Sequence, residues 1–265
     1  MCGLVGLYTQ HLNAPDALAD TARAMADRIV HRGPDDFGVW ADPDMGIALG
    51  HHRLSILDLS PSGHQPMACA SGRFVLAYNG EIYNHLEIRE RLTAENNAPA
   101  WRGHSDTETL LAAIEAWGFD SALQACTGMF AMALWDNQEK SLQLARDRFG
   151  EKPLYYGWVG GAFVFASELK AIQACPGYQL RVNREALALY MRFCYVPAPL
   201  SIHQDIYKLE PGCVLQINGA VPAAPSSPLM PGERHAGVSI RRWWSFRYTA
   251  AAGLDNPIHD EAEAL

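Results

Sequence analysis

Cys2 follows the initiator methionine in Met1-Cys2-Gly3-Leu4-Val5-Gly6. Methionine aminopeptidases remove Met1 when the next residue is small. Cys2 would then carry a thiol and a free α-amine on one residue. Their reference pKa values are about 8.5 and about 7.7–8.0, so the amine can take the thiol proton near neutral pH. Such a nucleophile needs no histidine partner. Gly3 and Gly6 permit close backbone approach beside it. Taken alone, a terminal cysteine is more commonly a small thiol packed against a sheet, and a short motif does not separate the two readings. Thiolate attack on an acyl carbon creates an oxyanion, which calls for two donors. Asn79-Gly80 offers a side-chain amide and a backbone N–H, although Asn-Gly is also an ordinary hairpin turn.

Charged residues supply candidate binding groups. Arg53, in His52-Arg53-Leu54-Ser55-Ile56-Leu57-Asp58, sits among apolar residues. It suits a two-pronged grip on a carboxylate, or it is a surface arginine on an edge strand. Asp106 falls in the first turn of a capped helix, where it would bind an ammonium or merely complement the helix dipole. His31 and Arg32, in His31-Arg32-Gly33-Pro34-Asp35, read as turn residues that support the site from outside. His51, His52, His64, His85 and His104 lack metal-ligand spacing, and no metal is expected.

Elements able to position these groups are legible in the pattern. A helix opens at Pro15-Asp16 with Leu18, Ala22, Met25 and Ile29 on one stripe. A strand from Phe74 to Tyr78 ends at the Asn79-Gly80 turn. Asn84 and Glu87 form a capping-box pair, as do Ser105 and Glu108, whose helix carries Leu110, Leu111, Ile114 and Trp117 and stops at Gly118. Met129 to Trp135 is a continuous buried-type strand that turns at Asp136-Asn137 into Ser141 to Arg146. A second hairpin runs from Leu154 to Val159, turns at Gly160-Gly161 and returns as Ala162 to Ala166. A helix spans Asn183 to Phe193. Residues 197–237 are rich in Pro, Gly and Ser and read as a linker with one short strand, Cys213 to Ile217, whose partner is expected at Arg241 to Phe246. Residues 259–265 start like a helix. Hairpins interleaved with helices predict antiparallel sheet covered by helices.

The composition excludes several classes. The chain has 265 residues, 49% hydrophobic and 19% charged, which is globular. Its formal net charge of −8, without a basic run, leaves no electrostatic footprint for nucleic acid or an anionic membrane. No apolar stretch has the length of a membrane span, and the first residues lack a signal-peptide pattern, so a cytoplasmic protein is expected. The other cysteines, Cys69, Cys126, Cys175, Cys194 and Cys213, form no CxxC pair and read mostly as reduced core thiols.

Taken together, the segments resemble the glutaminase domain of glutamine-dependent asparagine synthetase, a class II glutamine amidotransferase. The resemblance is carried by Met1-Cys2-Gly3, His31-Arg32-Gly33-Pro34-Asp35, Arg53-Leu54-Ser55-Ile56, Tyr78-Asn79-Gly80-Glu81-Ile82-Tyr83-Asn84, Ser105-Asp106-Thr107-Glu108 and Gly128-Met129-Phe130-Ala131. Ala145-Arg146-Asp147-Arg148-Phe149-Gly150, Lys152-Pro153-Leu154-Tyr155 and Ala166-Ser167-Glu168-Leu169-Lys170 complete it, in order over residues 1–215. It implies an α+β fold of the N-terminal nucleophile hydrolase type: a four-layer αββα sandwich of two antiparallel sheets. It implies Cys2 as nucleophile, Asn79 and Gly80 as the oxyanion hole, Arg53 on the α-carboxylate of glutamine, Asp106 and Glu81 at its amino end, and the backbone of Leu54, Ser55, Ile56 and Leu57 lining the pocket. Glutamine would yield glutamate and ammonia through a glutamyl thioester.

In that family a synthetase domain follows, using ATP and Mg²⁺ to make asparagine from aspartate with this ammonia. The glutaminase domain itself needs no cofactor. The synthetase's Ser-Gly-Gly-x-Asp-Ser loop is not found in the sequence; Gly253-Leu254-Asp255-Asn256 lacks the preceding Ser-Gly. The expected division is a glutaminase domain over 2–218 and a linker with the start of a synthetase domain over 219–265. The expected partner is a synthetase domain or subunit, and a homodimer fits the family habit. Other readings are another class II amidotransferase, acting on a sugar or a different carboxylate, or a non-catalytic interaction module of the same fold.

Overall fold

In the computed structural model, residues 2–10 and 15–256 are described. The helix start expected over 259–265 lies outside them. The chain runs β1 (Gly3–Tyr8), α1 (Pro15–Asp27), β2 (Asp36–Asp42), β3 (Ile47–Arg53), β4 (Met67–Ala68), β5 (Phe74–Ile82), α2 (His85–Ala94), α3 (Asp106–Trp117), α4 (Phe119–Ala125), β6 (Gly128–Asp136) and β7 (Ser141–Arg146). It continues β8 (Tyr155–Val159), β9 (Ala162–Ala166), α5 (Leu169–Ile172), α6 (Arg184–Phe193), β10 (Ile206–Lys208), β11 (Cys213–Asn218), β12 (Arg234–His235), β13 (Val238–Arg242) and α7 (Phe246–Asp255).

The strands form two antiparallel sheets, ordered β10-β8-β9-β1-β3-β2 and β12-β13-β11-β7-β6-β5-β4. Strand period decides what each face touches. On β1, Leu4 and Tyr8 face the second sheet, while Val5 and Leu7 pack under α1 against Leu18, Ala22, Met25 and Ile29. On β6, Ala131, Ala133 and Trp135 face the first sheet, while Phe130, Met132 and Leu134 pack under α2, α3 and α4. The expected layering of helix, sheet, sheet and helix is therefore what the sequence builds. β6 is buried on both faces, which explains its unbroken apolar run.

Glycine takes a structural part in the inter-sheet core. Gly6 pairs with Phe165, and a Cβ on Gly6 would lie 2.1 Å from the Phe165 ring. Gly6 thus makes room for an aromatic ring and not for the Cys2 centre. The turn between β8 and β9 has positive φ at both Gly160 and Gly161, as a tight hairpin requires.

Several expectations are corrected. Asn79-Gly80 is not a turn: β5 runs through it to Ile82, with Asn79 opposite Ala131 and Gly80 opposite Phe130. Ladder pairing with β6 overrides the local turn preference. Asn84 makes no side-chain cap. Its amide bridges instead to the Ala125 carbonyl and the Thr127 N–H at 3.0 and 2.8 Å, tying α2 to the end of α4. The Ser105 cap is present: its hydroxyl accepts from the Glu108 N–H. The 197–237 stretch holds β10 and β12 besides β11, and the partner of β11 expected at Arg241 to Phe246 is Val238–Arg242, which starts three residues earlier. Sheet structure thus continues past residue 218. Trp243 then stacks on Phe130, with ring centroids 6.0 Å apart.

Gly6→Ala is expected to destabilise the fold by about 1–3 kcal/mol, the range for overpacking a filled core. A fall in the urea midpoint at constant slope checks it.

Candidate active site

Period-two alternation delivers the candidate side chains to one end of the inter-sheet cleft. Ile47 and Leu49 face the second sheet, so His51 and Arg53 follow on the same side of β3. Val75 and Ala77 face the first sheet, so Asn79 and Glu81 follow on the same side of β5. Cys2 precedes Leu4 by two and shares its face. Cys2, Arg53, Leu54, Ile56, Leu57, Gly80, Glu81 and Asp106 line one pocket. Asp58, Gln65, Tyr78, Ser105 and Thr107 complete the lining, and none of these five was expected as a site residue. Ser55 and Asn79 are not among the lining residues. The Ser55 N–H donates to Asp35 at 2.8 Å, and Asn79 is 1% exposed beneath the surface.

The thiol is held by main chain. Cys2 Sγ lies 3.6 Å from the Leu54 carbonyl and 3.4 Å from the Leu54 N–H. Burial pushes the thiol pKa up, opposed by the Leu54 N–H. The thiol therefore needs a base, and no histidine lines the pocket among the described residues. Arg32 donates to the Cys2 carbonyl at 2.8 Å and is itself paired with Glu168 at 2.8 Å. This is the supporting role expected for Arg32.

β5 presents an unpaired edge beside the thiol. β4 is only two residues long and pairs with Leu76 and Val75. Beyond it, the outward N–H of Tyr78 is taken by the Gln65 side-chain oxygen at 2.7 Å. The outward N–H of Ile82 is taken by Asp106 Oδ2 at 2.9 Å. Gly80 lies between them, and antiparallel alternation turns its N–H the same way, away from β6 and toward the pocket. A Cβ at Gly80 would sit 2.4 Å from the Met129 carbonyl, so only glycine fits. Asn79 Nδ2 is buried and has no hydrogen-bond partner among the described residues. Burying such an amide unpaired is costly.

The charged groups are fixed. Arg53 lies on an interior strand, not an edge, and is 7% exposed. Its guanidinium donates to the carbonyls of Ser60 (3.2 Å) and Asp58 and rests against Gly63. The Asp58 carboxylate accepts from the N–H groups of Ser60 and His104, both at 2.8 Å. Ser60 and the His104 N–H hold that carboxyl down at about 2. Asp106 Oδ2 also accepts from the Tyr78 hydroxyl at 2.9 Å. Burial raises the Asp106 carboxyl despite these bonds; burial and the nearby Asp106 charge raise Glu81.

The Arg146-Asp147 segment is structural. Arg146 donates to the carbonyls of Lys152, Leu209 and Gly150 at 2.6–2.8 Å. Asp147 accepts from the N–H groups of Phe130, Phe149, Glu151 and Lys152 at 3.0–3.2 Å.

This geometry defines a class: a two-sheet sandwich with a thiol and paired charges at one end of the cleft. A sequence model of the glutamine amidotransferase domain matches residues 1–223, and the chain belongs to that family. It is 35% identical over 228 residues to a putative glutamine-hydrolysing asparagine synthetase of Methanocaldococcus jannaschii, covering 79% of this chain and 42% of that protein. Over 213 residues it is 38% identical to asparagine synthetase 1 of Bacillus subtilis, covering 80% and 33%. It is 36% identical over 223 residues to a Gibberella zeae protein named an amidase, covering 80% and 32%. The chain thus spans about a third to two fifths of the length of these relatives. Its fold is shared by a solved glutamine phosphoribosylpyrophosphate amidotransferase of B. subtilis, with a TM-score of 0.63 at 20% identity, covering 92% of this chain and 49% of that one. The expected α+β sandwich of two antiparallel sheets is therefore borne out.

The depressed Asp58 carboxyl contributes stability that is present above the unfolded value near 4 and is lost as pH falls through about 2. Asp58→Asn is expected to remove this part of the acid dependence. Urea unfolding of both chains between pH 5 and pH 2 checks it.

Proposed function

We propose that this chain hydrolyses glutamine to glutamate and ammonia. The observation that carries the reading is the convergence on one pocket of a thiol, a fixed cation, two carboxylates and an outward amide. Glutamine is a zwitterion with an amide at its far end. Arg53 takes the α-carboxylate, Asp106 and Glu81 take the ammonium, and the side-chain amide is left against Cys2 Sγ, as an intramolecular reaction requires. With Met1 removed, the Cys2 α-amine accepts the thiol proton and the sulfur attacks the amide carbon. The oxyanion is met by the Gly80 N–H and Asn79 Nδ2. The C–N bond breaks as the amine's proton passes to the departing nitrogen, which leaves as ammonia. Water attacks the thioester, glutamate leaves and the thiol is restored.

The names of the relatives support the use of this ammonia in asparagine synthesis from aspartate. Residues 2–218 then serve as the glutaminase domain, and 219–265 lead toward a synthetase region, domain or subunit, that holds ATP and Mg²⁺. A relative named an amidase, at nearly equal identity, supports an acceptor chosen by that region and not by this pocket.

Cys2→Ala is expected to abolish ammonia release, and Asn79→Asp to lower kcat by roughly 10²–10³-fold. Arg53→Ala should act mainly on KM. An ammonia assay with intact mass to establish the first residue checks all three; a fully active Cys2→Ala chain would sink the mechanism.

Because the Glu81 and Asp106 carboxyls are raised, their protonation begins above the usual carboxylate range as pH falls. KM for glutamine should therefore climb on acidification before ordinary surface carboxylates titrate. A KM series from pH 8 to pH 5 tests this, and a flat series counts against these two residues as ammonium ligands.

A further inference from the structure

His51 is fully buried, lies on the cleft side of β3 two residues before Arg53, and has no part in the reaction above. Its Nε2 lies 2.9 Å from the Tyr78 carbonyl. A carbonyl can only accept, so Nε2 carries the proton. Nδ1 is buried without a hydrogen-bond partner among the described residues. Burial also pushes the ring's pKa down to about 3, which keeps it neutral.

The bonded carbonyl has a particular place. It belongs to the peptide that joins Tyr78 to Asn79, so its orientation sets the plane from which the Asn79 side chain departs. It also lies on the outward edge of β5 beyond Met67, the first residue of β4, which pairs with Leu76, so no strand supplies a donor there. Gln65 takes the Tyr78 N–H on this edge, and His51 takes the Tyr78 carbonyl. Two side chains thus replace the missing strand at the residue before the oxyanion pair. One belongs to the strand that carries Arg53.

We propose that His51 is a positioning residue for glutamine hydrolysis: its Nε2–H fixes the Tyr78–Asn79 peptide and so holds Asn79 and Gly80 in register with Cys2 and Arg53. The inference rests on the reading of Asn79 and Gly80 as oxyanion donors. His51 touches neither the substrate nor the thiol, so its effect falls on transition-state stabilisation and not on glutamine binding.

The test compares His51→Leu and His51→Gln with the natural chain in steady-state ammonia release, with rates referred to the folded fraction. Alkylation of Cys2 by iodoacetamide, which forms no oxyanion, runs beside it. His51→Leu is expected to lower kcat by roughly 10–100-fold, the scale of a misplaced catalytic group. KM and the alkylation rate should change less than about threefold, within the scatter such a group leaves on uniform binding. His51→Gln, whose amide N–H can reach the same carbonyl, should recover most of the loss. An unchanged kcat in His51→Leu, or an equal loss in both variants, overturns the proposal. A Cys2→Ala chain that remains active would instead overturn the underlying reading. If His51→Leu does not fold, nitrogen NMR of the histidine-labelled natural chain decides, with the ring assigned by its loss in His51→Gln. A ring protonated at Nε2 and bare at Nδ1 at pH 7 supports the proposal; the opposite tautomer or a charged ring defeats it.

Discussion

An antiparallel strand must satisfy its peptide groups on both edges, and β5 lacks a neighbour on one edge just where it passes Cys2. The remainder of the site follows from that constraint. Buried N–H and C=O groups are rarely left unpaired. Around the gap, Gln65, His51 and Asp106 each cover one outward group of β5. Gly80 sits between them, with an amide that no side chain covers by this pattern. Where sheet ends and chemistry begins is set by the length of β4.

A second consequence is that the substrate's charges meet groups already committed to the fold. Asp106 is the first residue of α3 and also the acceptor for two groups on β5. Arg53 ends β3 and also closes the 53–60 loop through two carbonyls. Such groups are rigid before glutamine arrives, so little ordering is left to oppose binding. Their burial is visible in the raised carboxyls of Asp106 and Glu81, which an incoming ammonium would relieve.

Much of this was legible in the residues, for physical reasons. The α1 stripe, the buried β6 run, the Ser105 cap and the two-glycine turn each follow from a local pattern that the tertiary fold reinforces. Cys2, Arg53, Gly80 and Asp106 were named from their chemistry and Glu81 from the family resemblance, and all five meet in one pocket. What failed was local reading where long-range pairing dominates. Asn79-Gly80 has the residues of a turn, but pairing with Ala131 and Phe130, some fifty positions on, keeps it extended. Asn84 has the residues of a cap, but its amide serves the chain at 125–127. β10, β12 and β13 are short and lie in Pro- and Gly-rich sequence, so their own composition carries almost no signal. Gln65 and His51 were invisible as site residues because their role depends on a missing strand, which no local pattern records.

Trp243 gives the far end of the chain a different character. Its indole N–H donates to the Arg146 carbonyl at 3.1 Å, its carbonyl accepts from Gln124 at 2.8 Å, and the Arg148 guanidinium lies 5.0 Å from its ring centre. The polypeptide is therefore moored three residues before α7. Whatever is covalently joined downstream departs from a known place, so its local concentration near this face is set by geometry and not by dilution.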